Sequence, residues 1–545
     1  MLFLSFGVLA QSDPTGKSPA TRTYAITNAT IVQAPGKVIE GATIIFNNGL
    51  ISSVGANTTI PDNAEVIDGT DLFIYPGFID GMSYTGADRP EQMKRPEGLF
   101  TPNPPNDYAG ITPELQVTQQ LKVDEKSIDA MRKAGFTISH SVPYGRMLPG
   151  SGSIITLKDA THPDELILSE DVSMYTQFVG APGAYPGNTL GIMAKWRDLY
   201  RNAEYSKQHF EMYASNPAGM ERPTRDRTLE AFFPVVSKQK PVFYNASSSL
   251  EARRAIRLQK ELGFNLVLGN LKEGWDLSSA IKESNAKVFL SLDLPKEPKA
   301  SKDKKKTDEV KQLEERRLEF YKKYLNQFSD MEKAGIKYGI STMETSGSKI
   351  KDNFLTLLEN GLSEDALLAS LTINAAQLLG IDNIAGTLES GKLANAVITN
   401  GPIFDKKSQI KYVFVDGDKY EYDLKEKKAA NGSKTNATGI NAIVGTWEYT
   451  VSSPQGVETG TMTITNENGE LAGTLSGMQG GPDNDLNNLT FLDGSLSFDF
   501  SFDGGGQSIE IVVVGTVTDN EFDAEASVAA FNISFPFTAT KDEAK

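Results

Sequence analysis

Between Tyr24 and Asp71 the chain is patterned as short apolar runs separated by turn residues. Tyr24–Ile26, Ala29–Gln33, Ala42–Phe46, Leu50–Val54 and Glu65–Ile67 predict strands. Asn47-Asn48-Gly49 predicts a hairpin turn, because Asn and Gly accept positive φ. The pattern changes after Phe73-Ile74-Tyr75. Pro76-Gly77 interrupts that apolar strand, and Phe78-Ile79 opens another that ends in Asp80. From there to about Leu379, strand-like and helix-like segments alternate, the pattern of βα units around a parallel sheet. Thr137–His140, Ser153–Leu157, Pro241–Tyr244, Leu266–Leu268, Lys287–Leu290 and Tyr338–Ile340 predict strands. Asp124–Lys133, Trp196–Tyr213, Leu250–Leu262 and Leu277–Ser284 predict helices, and two short ones surround Gly361. A strand count near eight predicts a (β/α)₈ barrel with functional loops at the strand C-termini. Lys296–Arg317 interrupts the spacing as a charge-dense, solvated insertion that runs into a long helix.

Residues 426–440 are small and polar and predict a linker. Beyond them helical periodicity vanishes. Thr446–Val451, Thr459–Thr465, Glu470–Leu475, Ser495–Phe502, Ser508–Val517, Glu521–Val528 and Asn532–Ala539 alternate as strands between Gly-rich turns. This predicts a C-terminal antiparallel β-barrel or sandwich. Gly445-Thr446-Trp447 resembles the Gly-x-Trp opening of lipocalin-like barrels.

Composition narrows the function. The net charge of −16 argues against nucleic acid and anionic membrane surfaces as partners. With no cysteine there is no disulfide, thiolate metal site or cysteine nucleophile, and only His140, His162 and His209 supply imidazole. MLFLSFGVLA resembles the apolar core and small-residue cleavage site of a secretory signal, which predicts a secreted or periplasmic protein. No other run approaches the ~20 apolar residues of a membrane-spanning helix.

Two segments carry a family resemblance. YPGFIDGMSY, Tyr75–Tyr84, resembles the opening motif of the amidohydrolase superfamily, Pro-Gly-x-Ile-Asp-x-His-x-His. LTINAAQLLGI, GTLESGKLANAVI and IKYVFVDGDKY, within 371–420, resemble its closing signature, with Ala375 in place of proline and Asn395 in place of aspartate. The resemblance implies a barrel, a composite β-sandwich built from both ends of the barrel chain, zinc or a similar divalent metal, and hydrolysis of carbon–nitrogen bonds other than peptide bonds. It also implies pairing with an active homologue or with a second copy. The expected organisation is a leader at 1–10, a disordered stretch at 11–23, the composite sandwich at 24–75 and 388–425, the barrel at 76–387, the linker, and an all-β domain at 441–545.

The implied ligand positions hold other residues. The two opening histidines correspond to Met82 and Tyr84, the next two to Asn245 in KPVFYNASS and Asn270 in LVLGNLKEG, and the closing aspartate to Met343 in AGIKYGISTMET. Thioether, phenol and carboxamide are poor ligands for a zinc-like ion. The expectation is therefore no bound cofactor and a polar pocket lined by these five residues. The function expected is a noncatalytic binding or partner subunit, with its small-molecule ligand unspecified. Two alternatives stand beside it. One is hydrolysis through a noncanonical site built on Asp80, His140 and Glu344. The other is binding of a small molecule or glycan by the C-terminal domain.

Overall fold

The computed structural model describes residues 23–90, 93–124, 126–298, 307–424, 443–453, 456–467, 470–476, 483–492, 495–504, 507–518, 520–528 and 533–541. The expected leader and linker lie outside these residues, as does the stretch expected to be disordered at 11–23 except for Thr23, which is buried and donates to Asn47 Oδ1 at 3.2 Å. The chain divides into two compact units, Met1–Leu424 and Lys425–Lys545.

The first unit opens with five strands: β1 (Tyr24–Ala34), β2 (Lys37–Asn47), β3 (Leu50–Gly55), β4 (Glu65–Asp68) and β5 (Phe73–Pro76). The two runs expected at 24–26 and 29–33 form one strand, β1, bent at Asn28, whose φ is 56°. The expected hairpin turn is present, with Asn48 at φ 50° and Gly49 at φ 77°. Eight strands then form the barrel: β6 (Phe78–Ser83), β7 (Phe136–Ser141), β8 (Gly150–Thr156), β9 (Ile167–Gln177), β10 (Val242–Asn245), β11 (Leu266–Leu271), β12 (Lys287–Ser291) and β13 (Tyr338–Ser341). Three more return to the first sheet: β14 (Ala396–Thr399), β15 (Ile410–Val415) and β16 (Asp418–Glu421). That sheet runs β16-β15-β14-β5-β1-β2-β3, with β4 beside β1. Both ends of the barrel chain thus share one hydrogen-bonded sheet, cored by Ile26, Ile44, Phe46, Ile74, Ile398 and Phe414. The Pro76-Gly77 break sits where β5 pairs with β14 and where Gly77 N–H donates to Asn395 O at 2.9 Å.

Barrel strands follow chain order from β6 to β13. Seven run in one direction, but β8 is antiparallel to both β7 and β9. The alternation expected for a regular (β/α)₈ barrel is therefore interrupted. The reason is connection length. A parallel neighbour needs a crossover of about a dozen residues or more. Residues 142–149 join β7 to β8 without a helix, and only the 3₁₀ turn Pro163–Leu166 lies before β9. Elsewhere the helices Lys126–Lys133, Thr189–Ser215, Ser249–Leu262, Ser278–Ser284 and Asp308–Lys333 supply the crossovers. Among the described residues, no helix is long and apolar enough to cross a membrane.

The second unit is an antiparallel sheet closed on itself as a barrel. Its strands are β17 (Gly445–Ser453), β18 (Gly456–Glu467), β19 (Glu470–Leu475), β20 (Asn484–Asp485), β21 (Asn487–Leu492), β22 (Ser495–Gly504), β23 (Gln507–Thr518), β24 (Glu521–Val528) and β25 (Ile533–Lys541). The order is β20-β19-β18-β17-β25-β24-β23-β22-β21. The polar stretch NDLNNLTFL hid β20 and β21 from pattern reading. Rings fill the inside: Tyr449 stacks on Phe537 at 5.4 Å, and Phe498 and Phe522 each lie within 6 Å of Phe537. Trp447 is buried, with its indole N–H on Ile443 O at 2.9 Å.

Candidate functional site

The five implied ligand positions lie on β6, β10 and β11 or just beyond the ends of β6 and β13. Met82 is fully buried, and its thioether packs on Gly269 of β11. A Cβ at residue 269 would stand 2.6 Å from Met82 Sδ and Cε, so only glycine lets the strand pass. Phe289 of β12 crosses the same interior. A Cβ on Gly81 would lie 1.9 Å from its ring, and one on Gly339 2.4 Å. Side-chain volume fills the barrel centre here, and missing Cβ atoms make room for it.

The remaining polar groups satisfy one another. Tyr84 OH lies 3.1 Å from Tyr175 OH, and Tyr175 OH donates to Gln177 Oε1 at 3.3 Å. Tyr84 is therefore the donor in the first bond. Asn245 Nδ2 donates to the same Gln177 oxygen at 3.4 Å, and Asn270 Nδ2 donates to Asn245 Oδ1 at 3.4 Å. Ser341 Oγ lies 2.6 Å from Met82 O and 3.3 Å from Asn270 Oδ1, and its single proton serves one of them. Every member of this chain is uncharged at neutral pH. Burial pushes the Tyr84 phenol up to about 12 and the Tyr175 phenol well above its ordinary value. Asn270 holds φ 50°, a left-handed conformation that asparagine tolerates better than most residues.

The three carboxylate and imidazole candidates are held apart. Asp80 is fully buried and accepts from Thr342 N at 3.0 Å, Thr342 Oγ1 at 2.7 Å, Ser139 Oγ at 3.3 Å and Met82 N at 3.4 Å. Burial raises its pKa, and the donors only partly offset that. His140 is fully buried as well. Its Nδ1 lies 2.9 Å from Gly81 O and its Nε2 2.8 Å from Ser173 Oγ. A carbonyl only accepts, so Nδ1 carries the proton and Nε2 accepts from Ser173. Burial lowers the His140 pKa to about 4, which keeps the ring neutral. Glu344 is exposed and ion-paired with Lys272, which also bonds Asp293 at 2.7 Å. None of Asp80, His140 and Glu344 is hydrogen-bonded to another. His162 begins the 3₁₀ turn, with its backbone N–H on Glu165 Oε1, and the half-buried His209 meets Glu221 O. Neither belongs to the site.

A cleft of about 250 Å³ opens between the ends of β6 and β13. Tyr84 and Met343 line it, whereas Met82, Asn245 and Asn270 do not. The expected single pocket thus divides into a packed interior and a mouth. Tyr144 stacks on Tyr84 with ring centroids 3.9 Å apart, and the Arg89 guanidinium covers Tyr144 at 5.6 Å. Pattern reading missed Tyr144, Tyr175, Gln177, Ser173 and Ser341. They come from strands and loops distant in sequence, and no local motif marks them.

These residues do not fit the divalent metal that the amidohydrolase resemblance implies. The donors are two thioethers, one of them packed on a glycine, a phenol, and two amides already paired with each other. Neither a carboxylate nor an imidazole stands at any of the five positions, and among the described residues no group of three or more His, Asp or Glu stands together.

Comparison with known proteins places the fold. Residues 280–419 match the family model of the amidohydrolase family. A crystal structure of an amidohydrolase from Thermotoga maritima MSB8 superimposes with a TM-score of 0.61 at 23% identity, covering 73% of this chain and 100% of that one. A Xaa-Pro dipeptidase with bound methionine in the active site matches at TM-score 0.43 and 14% identity, covering 73% and 100%. Phenylurea hydrolase B matches at TM-score 0.39 and 15% identity, covering 73% and 96%. No curated protein matches the chain.

Proposed function

Starting from an amidohydrolase-superfamily barrel, we propose that this protein is a noncatalytic member: an exported binding or partner subunit whose metal centre has been replaced by packed side chains. One observation carries the reading. The implied ligand positions hold a neutral hydrogen-bonded chain and a methionine seated on Gly269, so neither the charge nor the space for a metal-bound hydroxide remains. Hydrolysis in this family's manner needs a general base beside an activated water. Asp80 is capped by Thr342, His140 is locked between Gly81 and Ser173, and Glu344 is neutralised by Lys272. The noncanonical hydrolase reading is weaker for the same reason. Binding by the C-terminal barrel is disfavoured by the rings that fill it.

The test is turnover of a panel of amide, urea and lactam substrates by protein supplied with zinc, manganese or chelator. The account expects no rate above background in any arm. A rate that rises with zinc and falls in Asp80→Asn would contradict it.

A further inference from the structure

The mouth cleft remains as an open space once the barrel centre is filled. Eight of its thirteen lining residues bear hydroxyls, and none bears a formal charge. Several of those hydroxyls are already committed. Tyr84 donates to Tyr175, Thr342 donates to Asp80, and Ser346 is shared with Ser348. Others keep unused capacity. Ser127 Oγ accepts from Gly86 N, which leaves its proton without a protein acceptor. Thr85 Oγ1 accepts from Ser83, with the same consequence. Among the described residues, Thr345 Oγ1 is shielded from solvent and meets no hydrogen-bond partner. A shielded hydroxyl left unmet costs about 1–3 kcal/mol, so such groups are ordinarily met by water or a ligand.

Resting on the noncatalytic reading above, we infer that this cleft binds a small, uncharged, polyhydroxylated molecule of about monosaccharide size. Three features select that class. Hydroxyls both donate and accept, which matches the unspent capacity of Ser127 and Thr85 in the lining. A ligand charge inside would find no counter-charge in the lining, because Asp80 lies behind Thr342 and is already hydrogen-bonded to it. The volume of about 250 Å³ falls below the ~300 Å³ at which pockets for drug-sized molecules begin. Tyr84 and Tyr144 each cover one face of the other and Arg89 lies over Tyr144, so hydroxyls are the lining's main recognition groups.

The test compares three probes with one ring and three charges: glucose, glucuronate and glucosamine, titrated into the full-length protein by calorimetry. Saturable binding of glucose is expected, with the two charged rings at least about tenfold weaker. Ala130→Leu lies on the helix Lys126–Lys133, lines the cleft and keeps a good helix former, so it should abolish binding without unfolding the chain. Ser127→Ala removes a lining hydroxyl with an uncommitted proton, and should weaken glucose about tenfold. Absence of glucose binding, equal binding of glucuronate, or unchanged binding in a folded Ala130→Leu protein would each overturn the inference. A metal-free protein that ignores glucose sinks this inference alone. Stoichiometric metal sinks the underlying reading, whatever glucose does.

Discussion

Single residues decide how the barrel centre is filled. Gly81 and Gly339 exist where the Phe289 ring passes, and Gly269 where Met82 lies. Gly81→Ala should therefore destabilise the protein by about 1–3 kcal/mol or more, through overpacking. Shrinking the ring in Gly81→Ala/Phe289→Leu should recover part of the loss, read by denaturant midpoints in a double-mutant cycle. Additive losses would mean that the ring and the glycine are not coupled. His140 gives a second prediction at this scale. Its folded pKa, lowered to about 4, lies below the unfolded value of 6.5. Between these values the unfolded chain binds a proton that the folded chain refuses. Stability is thus complete above pH 6.5 and falls as pH drops toward 4, by up to about 3 kcal/mol. Asp80 works in the opposite sense, because a raised carboxyl pKa favours the folded state at low pH and loses that contribution as pH rises. In an Asp80→Asn background the His140 slope should stand alone, and His140→Gln should remove it. An unchanged slope in His140→Gln would assign acid sensitivity to other groups. In the sequence Met82 and Tyr84 are placed by the opening motif, and Asn245, Asn270 and Met343 only by their context at strand ends. Their partners Tyr175, Gln177 and Ser173 could not be placed, because contacts between distant strands leave no local pattern.

At the scale of elements, the first and last barrel strands are joined through one carboxyl group. Asp80 of β6 accepts both the backbone N–H and the hydroxyl of Thr342, just past β13, and Ser341 Oγ reaches Met82 O. Asp80→Asn keeps an acceptor for Thr342 N–H, and the neighbouring hydroxyls can rotate to accept from the new amide. It should change stability by no more than about 1 kcal/mol. Asp80→Ala leaves several donors unmet and should cost about 2–4 kcal/mol. Equal effects of the two substitutions would show that the seam does not depend on these bonds. Strand β8 marks the limit of pattern reading. The run at 153–157 was legible as a strand, but its direction depends on how short its two connections are. In the second unit, β20 and β21 were hidden because their outward and edge positions are Asn, Asp and Thr rather than an alternating apolar set.

For the whole molecule, the fold was written at the two ends of the barrel chain. The opening segment at 75–84 and the closing segment at 371–420 meet as β5 and β14, side by side in one sheet. What happens between those ends is chemistry rather than architecture, and the same frame supports either a metal centre or its replacement. The proposed noncatalytic reading takes the replacement. It therefore expects the thermal midpoint of the full-length protein to be unaffected by EDTA or by added zinc, because no folded-state metal binding contributes to stability. A loss of several degrees in EDTA would point to a bound ion.

The most direct measurement is elemental analysis of untagged protein purified without added metal. The account predicts transition metal far below one equivalent per chain, in protein that is folded by circular dichroism. One equivalent or more of zinc, manganese or iron, removable only by chelator, would contradict it and return the barrel to the metal-dependent hydrolases.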